Sequence, residues 1–349
     1  MKKLIVLIVV FGLSISIRGL GAKEFKQIDQ WNHGDQEIYG YIGMPLITKD
    51  REIIVGVARQ GCALIAKDRV DLFATMGEGP NQVWLVSASA LYGNDIAYIH
   101  SGLVIKIFTK KDNTYKESKK RWFKRGYYPP LARDALFTGN KWFLAGLTAQ
   151  RKGKSGFINA LLLVYDDEGK PLKTLIEKEL RRRHDFGNMD YYIVADKEAK
   201  KRVFLMSEHE LKAYEVSTDK LELVKEWVLE TPGFYKEMPE DYFMMQKPGD
   251  PRSLSSVLAE WKTTYSRISE AAVEDGYLVL QVRTCSKELK KFAMLFYNVD
   301  TLKLEKTVFT DGFFIGARDG KYYFYHNGNP GRDEGVDECI IDVYAFEGK

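Results

Sequence analysis

The fold predicted for this chain depends on residues 139–170, GNKWFLAGLTAQRKGKSGFINALLLVYDDEGK. A Gly-Asn turn precedes the apolar and aromatic run 141–146, and a second apolar run, 160–165, follows a polar loop. The second run stops at an acidic, glycine-containing turn, and a third short strand is expected at 171–176. Short apolar runs bounded by turn residues are typical of antiparallel strands. The stretch therefore predicts a small antiparallel sheet.

The same unit recurs along most of the sequence. Six copies can be recognised, at about residues 45–75, 83–122, 131–176, 190–228, 265–309 and 313–346. A β unit that repeats every 40 to 60 residues or so is typical of a propeller, because each blade is a small sheet that buries its faces only against its neighbours. We therefore predict an all-β fold, a six-bladed β-propeller.

The last copy is one strand short, since only 313–318, 321–326 and 339–346 can be assigned to it. A lone strand at about 25–31 precedes the first copy. We predict that this N-terminal strand completes the last sheet, because the pairing closes the ring and removes an exposed edge. The segment 231–264, between the fourth and fifth copies, is too long for a simple connection and is either a functional insertion or a tolerated loop.

The N-terminal segment 1–22 has the features of a secretory signal peptide. Lys2 and Lys3 precede the apolar run 4–13, and small residues follow up to Ala22. The run is too short for a comfortable membrane span, although an uncleaved anchor is the alternative interpretation. We expect export to the periplasm or the exterior, a single propeller domain over 23–349, and no stable membrane span after cleavage.

Composition excludes one class of partner. The chain has 349 residues, 45% of them hydrophobic, which is enough for a large core. Its net charge is +4, but Lys2, Lys3 and Arg18 lie in the predicted signal, which leaves about +1 for the rest. A chain with so little net positive charge is not expected to bind nucleic acid.

The three cysteines, Cys62, Cys285 and Cys339, leave at least one thiol unpaired. They are predicted at equivalent points of three different blades, too far apart for the roughly 4.4–6.8 Å Cα separation that a disulfide needs. We expect free and mostly buried thiols. The spacing of a cysteine metal site is absent, so neither a metal nor another cofactor is expected.

The segment 76–82, MGEGPNQ, carries a family resemblance. Gly77 and Gly79 permit positive φ angles, and Pro80 fixes φ where the chain crosses to the next inner strand. The segment resembles the Gly-x-Gly-Pro-Gly-type turn that closes blades in the bacterial exported six-bladed β-propeller family, which is related to NHL-repeat propellers. The resemblance implies a fold and export, and it implies no particular reaction.

Standard catalytic signatures are absent: there is no Gly-x-Ser-x-Gly elbow, and His209-Glu210 lacks the second His of a zinc helix. Side chains of the inner strands could still form a site in the central channel. The charged candidates there are Arg133, Asp134, Asp190, Arg267 and Arg318. The set is too rich in arginine for a divalent cation, and we expect its carboxylates to pair with the arginines.

The clearest indication of a binding surface is a basic and aromatic patch. Connections from an outer strand to the next inner strand all emerge on one face of a propeller, so two basic connections should lie side by side. The candidates are Arg121, Lys124, Arg125 and Tyr127 after the second copy, and Arg181, Arg182, Arg183 and His184 after the third. Arginine binds carboxylates and phosphates bidentately and stacks on aromatic rings, which suits an anionic partner. The alternative is a solvated run of charges.

These observations predict an exported, non-catalytic binding module that holds a protein, peptide or glycan partner on one face and at the channel mouth. A propeller hydrolase or lyase with its site at the channel mouth is the first alternative. A passive envelope scaffold is the second. Anionic ligands separate the binding module from the scaffold, because only the binding module should hold them through the patch.

Overall fold

The computed structural model describes residues 24–34, 42–57, 60–83, 86–100, 104–124, 131–152, 156–179, 191–196, 202–239, 260, 263–327 and 339–347. These residues form six sheets, which we number as blades in chain order. Blade 1 contains β2 (Ile42–Ile47), β3 (Ile53–Val57), β4 (Gly61–Ile65), β5 (Val70–Met76) and the short β6 (Gln82–Val83). Blade 2 contains β7 (Val86–Tyr92), β8 (Asp95–His100), β9 (Val104–Lys111) and β10 (Thr114–Trp122). Blade 3 contains β11 (Leu131–Thr138), β12 (Lys141–Lys152), β13 (Gly156–Asp166) and β14 (Pro171–Glu179).

The second half of the chain repeats the arrangement. Blade 4 contains β15 (Tyr191–Ala195), β16 (Arg202–Ser207), β17 (Lys212–Ser217) and β18 (Glu222–Val228). Blade 5 contains β19 (Arg267–Glu274), β20 (Tyr277–Arg283), β21 (Phe292–Asn298) and β22 (Leu304–Thr310). Blade 6 contains β23 (Phe313–Arg318), β24 (Lys321–Asn327) and β25 (Cys339–Phe346), with β1 (Phe25–Asn32) from the N-terminal end.

The six sheets form a closed ring. Each first strand of a blade contacts the first strands of the two neighbouring blades, in the order β2, β7, β11, β15, β19, β23 and back to β2. These strands are therefore the inner strands, and the later strands of each blade lie progressively further from the axis. The all-β, six-bladed β-propeller predicted from the repeats is confirmed.

The N-terminal strand closes the ring, as predicted. β1 pairs antiparallel with β25, with Phe25 opposite Phe346 at one end and Asn32 opposite Ile340 at the other. Trp31 is buried in a core cluster that contains side chains of both blade 6 and blade 1. The chain ends thus meet in one sheet, and β25 has a partner on each side.

The apolar run that predicted the fold owes its pattern to burial on both faces. Along β12, Trp142 and Leu144 pack in a core cluster shared with blade 2. The alternate residues Phe143 and Ala145 pack in a cluster shared with blade 4. Successive side chains of a strand point to opposite faces, so a blade between two others needs apolar residues at every position.

The two glycines of the 76–82 turn, which carries the family resemblance, have different roles. Gly77 has a φ of 151°, a backbone conformation that favours glycine. The expectation of a positive φ at Gly79 is wrong, and the nearby left-handed residue is Asn81, with a φ of 54°. A Cβ at Gly79 would lie 2.9 Å from Oε1 of Gln82, so a side chain there would displace the end of the Gln82 side chain. The Gly79 amide donates to that oxygen at 2.8 Å.

Two predicted segments lie wholly or partly outside the described residues. The predicted signal peptide, 1–22, is wholly outside, and the insertion 231–264 is described only over 231–239, 260 and 263–264. The start of the insertion is fixed to blade 5, since Ser266 donates its amide to the Lys236 carbonyl at 2.9 Å and Tyr235 is buried in the adjacent core. Within the described ranges, no helix has the length and apolar character needed to cross a membrane.

The three cysteines are free thiols. Cys62 and Cys339 are buried, and burial raises the pKa of each to about 12. Cys285 is half-buried, and burial raises its pKa as well, although the charges of Arg283 and Arg267 oppose the shift. The thiolate is the reactive form, so Cys62 and Cys339 are inert at neutral pH for two reasons, low ionisation and poor access.

We expect iodoacetamide at pH 7.5 to modify Cys285 at least about tenfold faster than Cys62 or Cys339, because only Cys285 combines partial exposure with nearby positive charges. Peptide mass spectrometry over a time course measures the three rates. In urea the three rates should become similar. Equal rates in the folded protein would contradict the burial of Cys62 and Cys339.

Candidate functional site

The inner strands surround a central cavity of about 800 Å³, to which all six blades contribute. Most of its wall is small or apolar, with side chains such as Ala135, Ala271 and Ala317. The ionisable groups of the described wall, tyrosines aside, are Asp134, Asp196, Glu270 and Arg318. The described wall therefore carries three acids and one base. A concave, mostly apolar cavity with a few polar groups is the usual form of a small-molecule site.

Two of the acids occupy equivalent positions in blades 3 and 5. Asp134 and Glu270 each follow the extra residue of a β-bulge in an inner strand, and each accepts a hydrogen bond from the amide of the next residue, at 2.8 and 3.0 Å. Bulges redirect side chains, which accounts for an acid on a strand that is otherwise apolar. The second oxygen of Asp134 accepts the Ile193 amide at 2.8 Å, which ties blade 3 to blade 4.

Glu270 was missed in the sequence, although a signal for it existed. Ala132-Arg133-Asp134-Ala135 and Ile268-Ser269-Glu270-Ala271 have the same order, an apolar residue, a polar residue, an acid and an alanine, at the same point of the repeat. Aligning the inner strands of the six copies would have brought the two acids together.

Arg318 is the base of the described cavity wall. It is the last residue of β23, and its Nη1 donates to the Ile47 carbonyl at 3.2 Å, which links blade 6 to blade 1. Its Nε is shielded from water and has no hydrogen-bond partner among the described residues. Arg318 also lines a second, smaller pocket of about 350 Å³ at the end of the inner strands.

The smaller pocket is formed by the turns that connect the first and second strands of blades 4 to 6. Its acidic residues are Asp196, Glu274, Asp275 and Asp319. Each of them already has a partner in the protein. Asp196 accepts from Arg202 Nε at 2.9 Å, and Glu274 accepts the Gly320 amide at 3.0 Å. Glu274 therefore ties blade 5 to blade 6, whereas the Asp196 contact lies within blade 4.

Arg267, a predicted channel residue, lies instead at the junction of blades 4 and 5. Its Nη1 is 3.3 Å from an oxygen of Glu208, a carboxylate with no exposed surface. The Ile268 amide donates to the Glu208 carbonyl at 2.6 Å, so the same junction is also held through the backbone. Arg267 is thus committed to a buried ion pair, which is a structural role.

The described part of the basic patch divides into one structural and one exposed residue. Nη1 of Arg121 donates to the backbone carbonyl and to Oδ1 of Asp167, at 2.6 and 2.7 Å, and so joins blades 2 and 3. Tyr92 donates its hydroxyl to the same carboxylate at 2.7 Å. Lys124, in contrast, is exposed, and its nearest acid is Glu168 at 3.9 Å. Beside it lies Trp122, whose side chain is 56% exposed.

The side chains of the remaining candidates are not among those that the structure describes. Arg133 lies in β11, but its side chain is not described. The candidates that lie outside the described residues are Arg125, Tyr127, Arg181, Arg182, Arg183, His184 and Asp190. Among the residues that the structure does describe, no group of three or more His, Cys, Asp or Glu side chains is placed to hold a metal ion.

Comparisons with solved structures agree with this architecture. The chain resembles an exported protein from Bacteroides fragilis, with a TM-score of 0.61 and 13% identity over 93% of this chain and 95% of that one. It also resembles a member of the DUF4221 family from Bacteroides vulgatus, with a TM-score of 0.61 and 10% identity over 94% and 99%. No protein-family model and no curated protein matches the chain. Identities this low establish a common fold, and fold alone does not determine function.

Proposed function

We propose that this chain is an exported, NHL-like β-propeller that binds a ligand in its central channel without transforming it. The observation that carries the proposal is the cavity of about 800 Å³, lined by all six inner strands and mostly apolar. This volume lies in the range of about 300–1,000 Å³ that small-molecule sites usually have. The signal-like segment 1–22 supports export to the periplasm or the exterior.

Binding is favoured over catalysis by the way in which the channel groups are held. Asp134 accepts a backbone amide at each of its two oxygens. Ser87 donates its hydroxyl to the Ile99 carbonyl at 3.1 Å, and Ser269 donates to Oε1 of Gln281 at 3.0 Å. A general base or a nucleophile needs a free lone pair beside a second reacting group. These groups instead fix the shape of the wall.

The basic patch supports a second contact surface for an anionic protein, peptide or glycan. Lys124 and Trp122 are both exposed at the end of blade 2. The ammonium of Lys120 lies 5.2 Å from the Trp122 ring. Cations with aromatic neighbours suit a partner that carries carboxylates or phosphates.

A channel-filling variant tests the proposal. Ser87→Phe puts a bulky ring into the cavity wall, and Ser118→Phe is its matched control, because Ser118 also lies at a bulge and donates to a backbone carbonyl, at 3.2 Å, but is exposed on an outer strand. Native mass spectrometry with a tripeptide set and an oligosaccharide set should show a complex with one set. We expect Ser87→Phe to weaken it at least about tenfold, and Ser118→Phe to leave it unchanged.

The same assay separates the two surfaces. The double charge reversal Arg125→Glu, Arg182→Glu should weaken acidic members of either set and leave neutral ones unchanged. If neither set forms a complex with the wild-type protein, or if Ser87→Phe binds as well as wild type, the channel proposal is wrong. Turnover of a bound probe would favour the hydrolase or lyase instead.

A further inference from the structure

Arg318 is a cation of the cavity wall that holds no carboxylate of the described protein. Among the described residues its guanidinium makes one hydrogen bond, from Nη1 to the Ile47 carbonyl at 3.2 Å, and no ion pair. Its Nε is shielded from water and has no hydrogen-bond partner there. Five other arginines do form ion pairs with acids of the protein, namely Arg51, Arg69, Arg121, Arg202 and Arg267. Arg318 lacks the charge partner that these five have.

The guanidinium of Arg318 has donors left for a ligand. It carries five donor hydrogens, and the bond to Ile47 uses one of those on Nη1. The side chain is half-buried, and desolvation of an unpaired charge is costly, so an anion from outside the protein is favoured. A carboxylate suits the forked end of a guanidinium, because it accepts two parallel hydrogen bonds. The bond to Ile47 also holds the group in place before a ligand arrives.

The acids near Arg318 limit the charge that a ligand can carry. The smaller pocket sets four acids beside this one arginine. Two of the acids are paired with arginines outside the pocket lining, Asp196 with Arg202 at 2.9 Å and Asp319 with Arg51 at 3.4 Å. These pairs leave Arg318 to a ligand. Repulsion from an acidic rim grows with the charge of the ligand, so one negative charge is favoured over the charge near −2 of a phosphate group.

The level of the cavity next to Arg318 is apolar around the whole ring. Arg318 is the last residue of its inner strand. The residue before the last one is apolar in all six inner strands, and each of these residues lines the cavity: Leu46, Leu91, Phe137, Val194, Val273 and Ala317. Equivalent positions of the repeated blades lie at similar levels of a propeller. A group bound at Arg318 therefore has an apolar collar beside it, formed by these six residues.

We propose that the channel ligand is anchored by a single carboxylate, which binds Arg318, and that an apolar group next to this carboxylate packs against the apolar collar. Two kinds of molecule present this chemistry, a peptide with a free C-terminus and an apolar last residue, and a small organic acid with an apolar body. The inference rests on the proposed channel function and adds the charge and the polarity of the anchoring end of the ligand.

A set of N-acetylated peptides tests the inference without any substitution in the protein. Isothermal titration of the full propeller compares N-acetyl-Ala-Ala-Leu with its C-terminal amide and with N-acetyl-Ala-Ala-Asp. We expect the amide to bind about 10- to 100-fold more weakly, the range for a charge-assisted hydrogen bond to a partly buried group. The aspartate peptide should lose at least about tenfold, because it replaces the apolar group with a second negative charge. Equal affinity for the acid and the amide overturns the proposal.

A fourth probe, 4-methylpentanoate, distinguishes the two sources of the carboxylate. It keeps the carboxylate and the branched apolar group of the leucine peptide but has no peptide bond. Binding within about tenfold of the leucine peptide would support an organic acid, and binding by the leucine peptide alone would support a peptide end. If neither molecule binds, the carboxylate anchor is wrong.

Substitution of Arg318 assigns the carboxylate to its partner. Arg318→Gln should lower the affinity for the leucine peptide by about 10- to 100-fold and leave its amide unaffected. Arg318→Lys should fall between, because lysine keeps the charge without the fork. Arg283→Gln is the control, since Arg283 is also a half-buried arginine at the end of a strand but is not among the residues that line the cavity. An equal loss for acid and amide would indicate a structural role and overturn the assignment.

The outcomes also separate this inference from the function on which it rests. If oligosaccharides bind in the channel and Ser87→Phe blocks them, while no carboxylate probe binds, the binding function stands and the carboxylate inference fails. If no probe of any class binds, both fail. Phenyl phosphate that binds more tightly than the leucine peptide and depends on Arg318 would overturn the choice of a singly charged anion.

Discussion

Deletion of residues 24–32 is expected to abolish the cooperative unfolding transition of the propeller. These residues include the whole of β1, and without them β25 becomes an open edge and the ring loses the sheet in which its two ends meet. Phe25 and Trp31 also leave the core, where the loss of a large aromatic side chain costs about 3–5 kcal/mol. Because a domain has only about 5–15 kcal/mol of stability in total, the native state should not survive.

Point substitutions on the same strand provide the controls. Trp31→Ala should lower the free energy of unfolding by about 3–5 kcal/mol, because Trp31 is buried against Tyr323, with ring centroids 5.7 Å apart. Ile28→Ala should cost less than about 1 kcal/mol, since Ile28 is 52% exposed on the same strand. Denaturant titration followed by circular dichroism measures all three. A deletion variant with an unchanged midpoint would contradict closure through β1.

Replacement of Lys106 by Met is the second change with a large expected effect. Nζ of Lys106 is buried and donates to the carbonyls of Gly79 and Gln82, at 2.8 and 2.7 Å, and to Glu117 at 3.2 Å. Met leaves the two carbonyls of the crossover turn without this donor and leaves the Glu117 carboxylate without its cation. We expect a loss of about 3–5 kcal/mol, the usual cost of breaking a buried ion pair by removing one partner.

Two companion variants identify the cause of that loss. Lys111→Met changes the exposed end of the same strand and should leave stability within about 0.5 kcal/mol of wild type. Lys106→Met with Glu117→Gln should recover part of the loss, since the unpaired carboxylate is then neutral. If Lys106→Met unfolds at the same denaturant concentration as Lys111→Met, Lys106 does not hold the crossover turn.

The burial of Lys106 could not be predicted from the sequence. Within Val104-Ile105-Lys106-Ile107-Phe108 a single lysine interrupts an apolar run, and the run by itself does not tell which partner a lysine at this position would find. The side chain is buried because the turn between blades 1 and 2 passes over it and offers two carbonyls. Those carbonyls come from residues 24 and 27 positions earlier, and a local pattern contains no information about such a contact.

The closure of the ring, in contrast, could be predicted from the sequence. A lone apolar strand at the start of the chain and a last copy with only three strands were enough to predict the pairing of β1 with β25, although the two are more than 300 residues apart. Counting strands was sufficient, because the last blade lacked one strand and the N-terminal strand was available to complete it. The exact roles of the glycines in the 76–82 turn did not follow from counting, since they depend on the position of the Gln82 side chain.

The amino-acid pattern alone determined the number of blades, the order of their strands and the closure of the ring, because both faces of every blade must be apolar. The tertiary structure decided what each charged residue does. Arg121, Arg267 and Arg318 look alike in the sequence, yet the first two are held by Asp167 and Glu208 between blades, and only Arg318 lines the cavity. The difference depends on which neighbouring blade presents a carboxylate, and only the packing of distant segments sets that distance.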